Sequence, residues 1–132
     1  MSETSVAKKA RPLSPHLQVY RLPLPAVSSI THRITGIALT VGTLVLTWWL
    51  IATASGPDDY DTAHTVLSSP IGLLCLLGWT WAFAYHLLKG ISHLIWDTGV
   101  GITNANALRS SAIVFGGSIV LTAIVWIAAF AL

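Results

Sequence analysis

Hydrophobic positions along this chain gather into three stretches without a charged side chain, at 34–54, 71–88 and 112–132. The first and last are 21 residues long. At about 1.5 Å per residue each spans roughly 30 Å, the thickness of a bilayer's hydrocarbon core. Lipid offers backbone groups no hydrogen bonds, so each stretch must close its own as a helix. Pro23 and Pro25 suit an opening turn and not a helix interior, which starts the first helix near Pro25. The pattern predicts an all-α integral membrane protein with helices over 25–54, 70–97 and 112–132. An N-terminal segment occupies 1–24, an acidic loop 55–69 and a second loop 98–111.

Composition agrees with lipid as the solvent: hydrophobic residues make up 54% of the chain, charged residues 9%, and mean hydropathy is +0.72. No apolar run follows the early Lys8 and Lys9, so no secretory signal peptide is expected. The seven basic residues, for a net charge of +2, are too sparse for a nucleic-acid surface. A single cysteine, Cys75, excludes an internal disulfide and a cysteine-ligated cluster, and is expected as a small core residue.

Charge placement orients the chain. Lys8, Lys9, Arg11, Arg21, Arg33, Lys89 and Arg109 all precede the first helix core, close the second helix or follow it, whereas the 55–69 loop carries Asp58, Asp59 and Asp61 and no cation. The positive-inside rule puts the N-terminus on the cytoplasmic side, or the matrix side of a mitochondrial inner membrane. Trp96 then suits the inner aromatic belt and Trp48 and Trp49 the outer one.

Within this apolar chain, 86–97 stands apart, with His86, Lys89, His93 and Asp97. Seven residues are nearly two helical turns, so His86 and His93 share a face about 10 Å apart along the axis, His86 deep and His93 at the inner edge. Ala82 and Gly90 flank His86 on that face and leave room for something flat and wide. An intramembrane histidine requires a partner: His86 is either a metal or haem ligand, or an imidazole hydrogen-bonded to a neighbouring helix. His32 and His93 are expected well displaced from it, and His16 and His64 outside the spans. An opposite haem ligand would therefore come from another polypeptide. Propionates would seek the wet cationic edge, where Arg33, His32 and His93 are placed, although Arg33 also fits a snorkelling anchor. Ser29 and Arg33, four apart, could orient a quinone carbonyl, or Ser29 could bond back to its own helix.

Two segments carry a resemblance. Arg11-Pro-Leu-Ser-Pro-His-Leu-Gln-Val-Tyr20 with Ser29-Ile-Thr-His-Arg-Ile-Thr-Gly36, and Ala84-Tyr-His86 with Gly90-Ile-Ser-His-Leu-Ile-Trp-Asp97, resemble the two signatures of the cytochrome b membrane-anchor family of succinate dehydrogenase, respiratory complex II. Order, spacing and the three-helix plan agree from Arg11 onward. The resemblance implies three transmembrane helices forming half of a haem-binding bundle. A second small membrane-anchor subunit would complete it, carrying an iron-sulfur subunit and a flavoprotein subunit on the inner face. It implies haem b with His86 as an axial ligand and the other from the partner anchor. Ser29 and Arg33 match quinone-site positions, and His32, Arg33 and His93 positions near the haem propionates. Electrons from succinate, whose site lies on a partner, would reach ubiquinone, with no catalytic residue on this chain. The implied location is the bacterial inner membrane, or the mitochondrial inner membrane in a eukaryote. A fumarate reductase anchor shares this plan, and a purely structural anchor among membrane lipids would keep only the helices. Where the family pattern has an arginine just before the second histidine, this chain has Ser92. Lys89 is the nearest substitute cation, on a partly different face.

Overall fold

The structure, a computed structural model, describes residues 20–131; the first signature segment up to Val19, with His16, lies outside the described residues. Four helices follow in order: α1 Leu24–Ser55, α2 Pro57–Ser68, α3 Pro70–Asp97 and α4 Asn104–Ala131. α1, α3 and α4 are long and apolar enough to cross a membrane. They run up, down and up, with α3 packed against both others.

The acidic segment expected as a loop at 55–69 is helical over Pro57–Ser68. Its Gly-Pro-Asp-Asp start is a turn signal and a helix-start signal at once: Pro57 fits the first helical position, and Asp58 and Asp59 face the positive end of the helix dipole. One residue separates α1 from α2, Gly56 at φ 136°, a conformation that side-chain-bearing residues seldom adopt. α2 folds back onto α1 and α3, burying Ala63 completely. α4 begins at Asn104, ahead of the expected 112, because Thr103 caps it: its Oγ accepts from the Asn106 N–H at 3.4 Å. Arg109 is thereby the second turn of a helix and not part of a loop.

The interior is small and hydroxylated while the exterior is large and apolar. Ser28 and Thr35 on α1, Ala82, Ala84 and Ser92 on α3, and Ser111, Ser118 and Thr122 on α4 are buried, while Leu44 is 70% exposed and Ile113 71%. That arrangement suits lipid, where close backbone approach replaces hydrophobic burial as the source of helix association. The α4 hydroxyls bond to their own helix, Ser111 to the Ala107 carbonyl at 2.8 Å and Thr122 to that of Ser118 at 2.7 Å, so they cost nothing at the interface. Cys75 is exposed on the outside of α3, contrary to its expected core place. The α3 residue there that does fill space is Trp79, whose indole is seated against α1 at Gly42.

Tyr85 joins all three spanning helices. Completely buried, its hydroxyl donates to the Ser28 carbonyl at 3.0 Å and lies 2.8 Å from Ser28 Oγ on α1, while its ring meets Phe115 of α4 with centroids 4.9 Å apart. Interhelical hydrogen bonds in membranes contribute about 0.6–1.7 kcal/mol. Tyr85→Phe is accordingly expected to lower stability by about that amount, measured by detergent-titrated unfolding; parental stability would show that the bond contributes nothing.

Candidate functional site

The N-terminal end of α1 and the C-terminal end of α3 meet at a cluster of three imidazoles. His32 of α1 stacks on His86 of α3 with ring centroids 3.9 Å apart and planes inclined 18°, and meets His93 edge-on at 5.1 Å. This corrects the expectation that His32 and His86 are well separated. The tilt and register of α1 against α3 bring His32 between the two α3 histidines, a relation that spacing within either helix does not contain. Rings stacked at 3.9 Å are in van der Waals contact, so no macrocycle fits between them. His32 is thus excluded as a ligand opposite His86.

The hydrogen bonds of His86 define its tautomer. Nδ1 lies 3.2 Å from the His32 carbonyl oxygen, which can only accept, so Nδ1 carries the proton. Thr35 Oγ1 is also 3.2 Å from Nδ1 and donates its own proton to the same carbonyl at 2.9 Å. With Nδ1 engaged by α1, Nε2 is the ring nitrogen left to meet a ligand from outside this chain. Gly36 permits the approach, since a Cβ there would lie 3.1 Å from His86 Cε1.

The expected pocket beside His86 is one-sided. Ala82 is buried in helix packing at 4% exposure. At Gly90, one turn beyond His86, a Cβ would meet nothing within 4 Å. A half-buried imidazole whose Nδ1 is bonded to α1, with an open position at Gly90 beside it, fits a ligand to a flat group bound from outside this chain. A bare ion fits less well: no three His, Cys, Asp or Glu side chains converge as a metal site among the described residues.

At the same end of the bundle, Lys89 is 1% exposed, with its Nζ 4.3 Å above the Trp96 ring, which in turn approaches His93 at 5.5 Å. A cation over an indole face is held by the ring quadrupole. Trp96, expected simply as a belt residue, also supports that cation. Ser92 is buried at 8% exposure, inside the helix packing. Asp97 and Arg33 are exposed. Ser29 is half-buried, one turn before Arg33. The Thr31, Thr35 and Thr40 hydroxyls each bond to an α1 carbonyl, whereas Ser29 makes no such bond among the described residues.

Four contributors had no role in the sequence reading: Thr35, Gly36, Ser28 and Tyr85. Three of them lie in the signature segments, Thr35 and Gly36 closing the first and Tyr85 preceding His86 in the second, whereas Ser28 falls just outside. Elsewhere, a groove of about 900 Å³ opens between α1, α2 and α3 at the opposite end, lined by Val45, Trp49, Leu67, Leu76 and Trp79 among others. His64 borders it, far from the imidazole cluster along the bundle, and the lining is almost wholly apolar.

The succinate dehydrogenase/fumarate reductase transmembrane subunit family matches residues 7–125. The succinate dehydrogenase cytochrome b556 subunit of Paracoccus denitrificans is 48% identical over 120 residues, 91% of this chain and 92% of its own length. The cytochrome b556 subunit of Rickettsia felis is 37% identical, covering 89% of this chain and 91% of the relative. The mitochondrial cytochrome b560 subunit of Sus scrofa is 35% identical, over 79% of this chain and 63% of the relative.

Proposed function

Because the chain belongs to the succinate dehydrogenase/fumarate reductase transmembrane subunit family, we propose that it is the cytochrome b anchor of a succinate:ubiquinone oxidoreductase. It binds haem b jointly with a second small membrane subunit and helps form the quinone site. The carrying observation is His86, whose Nδ1 proton is engaged by the α1 carbonyl of His32 at 3.2 Å, leaving Nε2 as the donor nitrogen. The stacking of His32 on His86 takes His32 out of the opposite position, which supports a second ligand supplied by the partner anchor, as the family likeness implies.

Haem b, when bound, supplies a one-electron store next to the quinone. His86 would hold the iron, and the open position at Gly90 would leave room beside it for the group. Arg33, His32 and His93, at the end of the bundle that the charge bias assigns to the cytoplasm, receive the propionates. Ser29 and Arg33 hydrogen-bond a quinone carbonyl as it gains charge, Arg33 with a permanent cation and Ser29 with its unengaged hydroxyl. The succinate site and the flavin and iron-sulfur carriers lie on two soluble partners docked at the same end. This chain contributes no group to succinate oxidation.

The assembled complex, solubilised in mild detergent, tests the reading directly. A reduced-minus-oxidised optical spectrum is expected to contain the bands of a low-spin b-type haem, with four subunits identified in the same particle. A haem-free particle of intact composition would sink the cofactor assignment, and a particle lacking the flavoprotein and iron-sulfur subunits would sink the partnership.

A further inference from the structure

We infer that Thr35 is a positioning residue that, through its hydroxyl, orients the His86 imidazole and sets its strength as a ligand; this rests on the proposed haem ligation by His86. Thr35 is 2% exposed, deep in the α1–α3 interface, where its oxygen has two hydrogen-bond partners. It donates to the His32 carbonyl at 2.9 Å, which uses its single proton. Its lone pairs remain, and His86 Nδ1–H points at them from 3.2 Å. The same N–H lies 3.2 Å from the carbonyl that Thr35 bonds, so proton, hydroxyl and carbonyl form a closed triangle spanning two helices.

Each part of the triangle has a consequence. Two acceptors on Nδ1–H fix the ring's rotation about its Cβ–Cγ bond more tightly than one, because a turn toward either lengthens the other. They also draw positive charge from the ring, making Nε2 a stronger donor and favouring ferric over ferrous iron. The restraint comes from α1, so iron ligation and α1–α3 docking are mechanically joined. Gly36, where a Cβ would crowd His86 Cε1 at 3.1 Å, lets the ring sit close enough for both bonds. A valine at 35 would retain the shape and remove the oxygen; a serine would retain the oxygen and remove a methyl.

The test compares Thr35→Val, Thr35→Ser and His86→Ala in the assembled complex by redox titration, electron paramagnetic resonance and haem transfer to excess apomyoglobin. Outer-shell partners of metal ligands typically govern about 10–100-fold in affinity. For Thr35→Val the expected result is an upward shift of the haem midpoint potential, altered low-spin g values and haem loss about tenfold faster. Thr35→Ser is expected to restore parental potential and g values. A Thr35→Val complex with parental or lowered potential would overturn the inference, and so would a Thr35→Ser complex shifted as far as Thr35→Val, since packing and not the hydroxyl would then be responsible. Failure of the ligand assignment is separately visible, as a low-spin signal that survives unchanged in His86→Ala.

Discussion

His86→Ala is expected to abolish the low-spin haem spectrum of the complex proposed above, leaving either no haem or a residual high-spin form. On that reading the substitution removes one of two axial ligands, and neither His32 nor His93 is placed to replace it. His32 is the closest imidazole, but its ring stacks on His86 at 3.9 Å and would need to leave α1 packing to reach an iron bound at Nε2. His93 lies beyond His32, edge-on to it at 5.1 Å. Nor does the loss stop at the ligand: the Nδ1 partners of His86, the His32 carbonyl and the Thr35 hydroxyl, lose their donor in a buried interface. Optical and electron paramagnetic resonance spectra of purified complex, normalised to flavin or iron-sulfur content, provide the measurement. An unchanged low-spin spectrum at parental haem stoichiometry would remove His86 from the iron.

The second large effect is at the quinone. Arg33→Ala is expected to lower the efficiency of quinone reduction roughly ten- to a hundredfold, as follows from losing a charged hydrogen bond of about 1.5–3 kcal/mol. Succinate oxidation with a soluble artificial acceptor should stay at the parental rate, because the residue has no part in the flavin or iron-sulfur chemistry. Arg33 is exposed at the end of α1 that carries the imidazole cluster, with Ser29 on the same face one turn earlier. Its side chain therefore projects from this chain toward whatever lies outside it. Arg33→Lys retains charge without the planar fork and should recover part of the activity. Equal loss of both activities in Arg33→Ala would point instead to failed assembly, and the quinone role would fall.

Much of the fold was legible from hydropathy alone, because lipid imposes a stringent length and polarity condition on every span. α3 ends at Asp97, where charge and water return. The helix α2 was hidden for a specific reason: Gly56-Pro57-Asp58-Asp59 is equally a turn and a helix start, and a helix of 12 residues with one fully buried alanine has little periodic signal of its own. The early start of α4 was hidden likewise, since its first turns are polar and capped by Thr103.

The site divides in the same way. His86 could be singled out because an imidazole amid uncharged residues is conspicuous, and Ser29 and Arg33 because four-residue spacing shares a face. Thr35 could not be, since its role depends on a contact 51 residues away in sequence. Lys89, by sequence the nearest cation to stand in for the arginine missing at Ser92, is folded inward onto Trp96.

By itself, then, the amino-acid sequence determined the three spans, the end of the bundle that bears the cations and the single helical face that His86 shares with His93. Only the tertiary structure decided that His32 stacks on His86, that the His32 carbonyl and Thr35 hold the Nδ1 proton, and that Gly90 but not Ala82 leaves room beside the ring. The physical reason is that helical periodicity specifies angle and height within one helix. The register between helices comes from where backbones can approach and hydroxyls can pair, here at Gly36 against His86 and at Ser28 against Tyr85.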